Sequence, residues 1–209
     1  MSHLFITFEG TEGSGKSLQA RLLVERLRAH GIGVLHTREP GGTALGDQLR
    51  QVLLTRQDTT LEARAEALLM CASRAQLVAQ VIRPAVARGD VVVCDRFADS
   101  TLAYQGGGRG LDLAELRTVI SFATAGLVPD MTMLLDLPVG VGLARKRADS
   151  ADWNRFEAET IAFHTRVQQT YLMLATAEPA RWHCFDGEKP AAELAELIWQ
   201  RVNTRLGHP

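Results

Sequence analysis

The chain has 209 residues, of which 46% are hydrophobic and 22% charged, with a formal net charge of -1. That length suits one globular domain with a substantial core, and the balanced charge offers no basic field for nucleic acid. Its three cysteines, Cys71, Cys94 and Cys184, form no C-x-x-C pair, so a reduced, cytoplasmic setting and buried apolar roles are expected. No signal pattern and no membrane-length apolar run are expected, because Glu9 and Glu12 break up the N-terminal stretch.

Leu4 to Phe8 is apolar, β-branched and aromatic, as a buried strand should be. Gly10-Thr11-Glu12-Gly13-Ser14-Gly15-Lys16-Ser17 follows, fitting G-x-x-x-x-G-K-[ST], the loop that cradles phosphates. Leu18 to Arg28 then reads as a helix, so the loop feeds a helix N-terminus, where free N–H groups and the dipole favour an anion. The loop amides are expected to wrap phosphate oxygens, Lys16 to reach the β- and γ-phosphates of a nucleotide, and the Ser17 hydroxyl to ligate Mg²⁺.

Val34 to Thr37 is a second strand, ending in the loop Arg38-Glu39-Pro40-Gly41-Gly42-Thr43. Arg38 reads either as a solvated loop charge or as a phosphate clamp at the carboxyl edge of a sheet. Thr43 is placed to cap a helix running to Leu54. Leu61 to Arg88 is a long helical pattern in which Arg74 and Arg83 interrupt an apolar face and Pro84 predicts a kink or a reset of the helix.

Val91 to Asp95 reads as a buried parallel strand. Asp95 at its end is either a helix N-cap or the carboxylate that holds Mg²⁺. The next residue is Arg96 rather than an acid, which argues against water activation and so against a hydrolytic motor. A short helix is expected over Asp99 to Gln105, broken by Gly106 to Gly110, and Asp112 should cap a helix to Ala125. Met131 to Asp136 is a fourth strand and Pro138 to Lys146 a helix. Arg145 to Arg155 is highly charged and reads as mobile; Phe156 to Ala177 reads as helix, Arg181 to Phe185 as the fifth strand, and Pro190 to Leu206 as the closing helix. The alternation predicts an α/β, P-loop NTPase-type three-layer fold: a five-stranded parallel sheet with helices on both faces.

A phosphate loop alone is shared by switches, motors and kinases. Guanine-reading Asn-Lys-x-Asp, the Asp-x-x-Gly switch and the transporter Leu-Ser-Gly-Gly-Gln are all missing. Arginine is abundant instead, at Arg38, Arg74, Arg96, Arg145, Arg147 and Arg155, which suits an acceptor that already carries phosphate.

The strings Arg38-Glu39-Pro40-Gly41-Gly42-Thr43, Asp95-Arg96-Phe97, Ser100-Thr101 and Ala103-Tyr104-Gln105-Gly106-Gly107-Gly108-Arg109-Gly110, beside the phosphate loop, resemble bacterial thymidylate kinases over nearly the whole chain. The resemblance implies one nucleoside monophosphate kinase domain over residues 1–209, forming a homodimer that converts dTMP to dTDP with ATP and Mg²⁺. It places Arg145 with ATP, and puts Glu9, Arg38, Met70, Arg74, Arg96, Ser100, Thr101, Tyr104 and Gln105 around dTMP. Glu9 would lie near the sugar and phosphate, and Arg38 and Arg96 would bind the phosphate. Arg74 and Gln105 would read the base, while Tyr104 would crowd the sugar 2′ position. Met70 stands where many members stack an aromatic ring. No basic residue lies between Gly10 and Gly15, so the chain resembles the type that supplies its catalytic arginine from a lid, here about 145–156, with Arg155 and Arg147 as candidates beside Lys16 and Arg96.

Overall fold

The computed structural model describes residues 4–55, 61–149 and 154–207. Five strands, β1 (Phe5–Glu9), β2 (Val34–Arg38), β3 (Val91–Asp95), β4 (Met131–Asp136) and β5 (Trp182–Asp186), form one parallel sheet in the order β2-β3-β1-β4-β5. The chain winds to one side of β1 through β2 and β3, then crosses to the other through β4 and β5. That reversal leaves a crevice at the carboxyl ends of β1 and β3, where open α/β sheets take ligands. Register makes the strand ends level: Phe8 and Arg38 both pair with Asp95.

Alternation along the strands divides the core. Ile6, Phe8, Val91 and Val93 face α1 (Lys16–Ala29) and, near the C-terminus, the helix Ala191–Leu206, whose Ile198, Trp199 and Val202 cover them. Phe5, Val92 and Cys94 face the opposite way, onto Leu77, Val78, Ile82 and Phe97. That second layer holds α2 (Ala44–Leu54), α3 (Ala63–Leu77), α4 (Arg83–Ala87), α5 (Ala98–Thr101) and α6 (Leu113–Thr124). It continues through α7 (Val139–Asp149) and α8 (Ile161–Ala177), and Ala191–Leu206 is α9. Thr43 and Asp112 cap α2 and α6 as expected, each accepting from backbone N–H groups of the first turn.

Several local expectations are refined or corrected. The long helix is reset just before Pro84: a π-turn, Val78–Ile82, lets Arg83 N–H reach back five residues to Val78 O, and Pro84 stands in the first turn of α4. Ala63–Ala87 is in fact long and apolar enough to cross a membrane by composition, yet here its buried face includes Ala67, Cys71, Arg74, Leu77, Val78 and Ile82 and packs into the core. Gly106 to Gly108 do not break a helix. They continue it as a π-helix, Leu102–Gly108. A Cβ on Gly107 would lie 2.0 Å from Thr170 Oγ1 and one on Gly108 2.5 Å from Phe163 Cε2. Gly107 and Gly108 leave room for α8, which lies directly against that backbone, and Gly106 leaves room for Leu113 of α6. Helix α8 begins at Ile161, not at Phe156, with Thr160 as its cap. Cys71 and Cys94 are buried as expected, but Cys184 is exposed, and all three are free thiols.

Candidate active site

Gly10 to Ser17 joins β1 to α1. Gly15 caps α1 with φ 91°, and no side chain occupies the cap, so the helix N–H groups face the cleft. Gly13, with φ 69°, has a second duty: a Cβ there would lie 2.0 Å from Gly142 O, and one on Gly142 2.2 Å from Glu12 O. The first turn of α7 therefore packs bare backbone onto the loop, a contact that two glycines 129 positions apart do not announce locally.

A cleft of about 770 Å³ opens along the carboxyl edge of the sheet. On the loop side, Lys16 Nζ donates to Thr11 O (2.6 Å) and Ser14 Oγ (3.1 Å). Burial, reinforced by the Arg96 charge, pushes its amine down to about 8 against the pull of Asp95, Glu12 and Glu9. The Ser17 hydroxyl donates to Asp95 Oδ2. Asp95 is thus no helix cap; it faces the loop. From α7, Arg145 and Lys146 line the cleft, Arg145 Nη1 donating to Gly187 O (2.9 Å) and Lys146 Nζ lying 3.3 Å from Glu157 Oε1.

Opposite the loop stands Arg96. Its backbone adopts φ 68°, rare for a side chain with a Cβ, while its N–H bonds Phe8 O. This turn sends the guanidinium back across the site. Nη1 donates to Gly10 O (3.2 Å), Ser100 Oγ (3.3 Å) and Tyr171 OH (3.3 Å), and Nη2 to Tyr104 OH (3.0 Å) and Glu12 Oε1 (3.4 Å). Arg74 is buried. Its Nε and Nη2 hold Glu39 Oε2 at 2.8 and 2.7 Å, and Nη2 also donates to Phe97 O and Thr101 Oγ1, both at 3.0 Å. Met70, Thr101, Tyr104 and Gln105 complete this wall, and Arg38, half-exposed beside Asp47, lines the rim.

The acids on either side of Gly10 part company. Glu9 is wholly buried and does not line the cleft: Oε1 accepts from Phe97 N–H (2.8 Å), and Oε2 from the hydroxyls of Ser100 (2.6 Å) and Tyr171 (2.7 Å). Burial, then the Asp99 charge, pushes Glu9 up to about 7, with Arg96 and the two hydroxyls opposing. Glu12 lies in the cleft instead, accepting from Tyr104 OH at 2.6 Å and lying 3.1 Å from His164 Nδ1. Burial pushes Glu12 upward, but His164, Arg96, Lys16 and Tyr104 outweigh it and hold the carboxyl at about 2. Of the two carboxylates it is Glu12, not Glu9, that lines the cleft.

The expected lid falls partly outside the described residues, at 150–153. Of its flanks, Arg147 is exposed and is not among the cleft-lining residues. Arg155 is not among them either: Nη2 lies 2.7 Å from the buried Glu66 carboxylate, and Nε donates to Leu53 O at 3.1 Å. Residues that the sequence did not single out also build the site. Phe156 lines it edge-on to Tyr104, ring centroids 5.7 Å apart, and Arg50 reaches it while donating to Pro40 O. A Phe or Arg in an amphipathic pattern carries no local mark of such a role.

A phosphate loop at the switch point of a parallel sheet, faced by arginines across a deep cleft, defines a P-loop phosphotransferase. Known proteins narrow the class. The thymidylate kinase family model matches residues 8–198. A thymidylate kinase of Roseiflexus sp. is 50% identical over 214 residues, covering 97% of this chain and 95% of its own length. One from Pseudomonas fluorescens is 51% identical, covering 99% and 98%. A solved thymidylate kinase from Ehrlichia chaffeensis aligns with TM-score 0.77 and 30% identity, over 97% of this chain and 99% of that one. The chain belongs to the thymidylate kinase family, phosphotransferases that convert dTMP to dTDP with ATP.

Proposed function

We propose that the cleft holds ATP over the loop and dTMP against the opposite wall, and that phosphoryl transfer runs in line between them. The observation that carries this is the Arg96 guanidinium, which bonds Gly10 O of the loop and Tyr104 and Ser100 of the far wall at once. A cation so placed spans two phosphates as their charges approach, and it is already oriented before they arrive. Lys16 and the loop amides hold the donor's β- and γ-phosphates, and Arg145 supports ATP from α7. Arg38 and Arg96 hold the acceptor phosphate; Glu12 and Tyr104 border its sugar, Tyr104 crowding the 2′ position. Met70 packs on the base, while Arg74 and Gln105 meet its edge.

Magnesium fits. The Ser17 hydroxyl and Asp95 carboxylate adjoin at the mouth of the loop, the pair of hard oxygens that a Mg²⁺–nucleotide complex uses. No cluster of three or more His, Cys, Asp or Glu side chains occurs among the described residues, which suits an ion bringing phosphate and water ligands of its own. Bound there, it neutralises charge on the β- and γ-oxygens.

For the remaining transition-state cation we keep Arg147 and Arg155. Using Arg155 requires releasing it from Glu66, whose pairing now directs it away from the cleft. Arg147→Ala and Arg155→Ala distinguish them: loss of the acting arginine should lower kcat by about 10³ with the KM for dTMP unchanged. If both variants keep wild-type kcat, neither side chain acts.

A homodimer is supported by large apolar side chains left exposed on neighbouring α3 and α6, Leu68 and Phe122, the latter 89% exposed. A cytoplasmic setting, away from nucleic acid and membrane, is supported by the free thiols and balanced charge. The assay that tests the whole reading supplies ATP, Mg²⁺ and one of dTMP, dUMP, dCMP or thymidine. ADP release with dTMP, and none with thymidine, is expected; release only with another acceptor overturns it.

A further inference from the structure

Glu66 of α3 is fully buried, yet it belongs to no binding role so far described. Its Oε1 accepts from Gln105 Nε2 at 2.7 Å, while Oε2 lies 3.2 Å from Arg109 Nη2 and 2.7 Å from Arg155 Nη2. Flanked by two guanidinium groups, this carboxylate offers acceptors and no donor. The Gln105 amide can therefore face it only with its NH₂. Gln105 also lines the cleft, so the end left for a ligand is the carbonyl Oε1.

Beside it, Arg74 has Nε and Nη2 committed to Glu39, Phe97 O and Thr101. Among the described residues its Nη1 has only the Cys71 sulfur at 3.8 Å, a weak partner, and Arg74 too lines the cleft. The wall thus presents one N–H donor and one carbonyl acceptor. A thymine or uracil ring offers the complement, a carbonyl next to a ring N–H. Cytosine offers the reverse, an amine next to a bare ring nitrogen, and would set donor against donor and acceptor against acceptor.

We propose that Glu66 is a specificity-determining positioning residue: by fixing the sense of the Gln105 amide, it makes the site demand an imide base and reject cytosine. This rests on the reading that the dTMP base meets the Arg74–Gln105 wall. The physical lever is strong, because a buried group left facing a mismatched partner discriminates far better than shape does.

The test measures kcat/KM for dTMP and dCMP in the wild type, Glu66→Gln, Glu66→Asp and Arg109→Gln. A neutral amide at position 66 can receive either end of Gln105. Glu66→Gln is expected to lower the dTMP/dCMP ratio by about ten-fold or more. Glu66→Asp keeps an acceptor-only partner and should retain most of the ratio. Arg109→Gln removes the ion pairs to Glu66 and Glu159 but leaves the Glu66 carboxylate, and should leave the ratio within about two-fold. A ratio unchanged in folded Glu66→Gln, or one equally reduced in Arg109→Gln, overturns the proposal. Should Glu66→Gln not fold, exchange of the Gln105 side-chain amide protons in the wild type decides: slow exchange, with and without dTMP, is expected, and solvent-like exchange overturns it. Failure of the wild type to use dTMP at all would instead strike the functional reading beneath it.

Discussion

Three residues apart, at the end of β1 and in the loop that follows, Glu9 and Glu12 carry opposite electrostatics, and each makes a separate pH prediction. Glu9 is raised to about 7, so between its ordinary 4.5 and 7 the folded protein keeps a proton that the unfolded chain has lost. That contribution favours folding at low pH and is lost as pH rises through the window. Glu12, held at about 2, has the reverse sign: its contribution is present above 4.5 and lost as pH falls toward 2. Glu9→Gln removes the first effect alone. Its melting temperature, relative to wild type, should rise by several degrees between pH 5 and pH 8. A difference that stays flat across that range would show that Glu9 does not titrate there. The sequence shows both acids but not that Glu12 would face the cleft while Glu9 turns into the core. The loop motif fixes where the backbone goes, whereas side-chain direction depends on who bonds it, and Tyr171 and His164 lie over 150 positions away.

At the scale of elements, what was legible was what is local. Strand patterns, the caps Thr43 and Asp112 and the phosphate loop are written in consecutive residues, and all five strands fell within a residue or two of their expected places. The glycine run at 106–108 was misread for the same reason. Alone it signals a stop; with Gly106 against Leu113 of α6 and Gly107 and Gly108 against α8, it stays helical where a side chain would collide. Gly107→Ala should therefore destabilise by about 1–3 kcal/mol or more, since its Cβ would meet Thr170 Oγ1 at 2.0 Å and Arg166 O at 3.0 Å. Adding Thr170→Ala should return part of the loss. Gly110 makes the comparison: a Cβ there has open space around it, so Gly110→Ala should cost only its left-handed backbone, about 1 kcal/mol. Denaturant melts of the three variants rank them, and equal losses for Gly107→Ala and Gly110→Ala would mean that α8 yields without cost.

For the whole molecule, the question is how a chain of net charge -1 gathers two polyanions. Charge is segregated rather than abundant. Seven cationic side chains line the cleft, from Lys16 and Arg38 to Arg145 and Lys146, against four carboxylates, Glu12, Glu39, Asp95 and Glu157. The surplus is three positive charges in a concave, partly desolvated space, while the rest of the surface carries the balancing acids. Low-dielectric walls focus such a field outward through the mouth. The global charge, which sequence composition reports, says nothing of this; the strand register that brings Arg38, Arg96 and the loop level does. Association of dTMP should accordingly slow several-fold as ionic strength rises from about 0.02 to 0.5 M, because the Debye length shrinks to about 4 Å and the field no longer reaches an approaching anion. Thymidine, which lacks the phosphate, should show almost no salt dependence. Stopped-flow binding of both ligands checks this. Equal salt slopes would mean that the arginines act only after contact, through hydrogen bonds, and that no field draws the acceptor in.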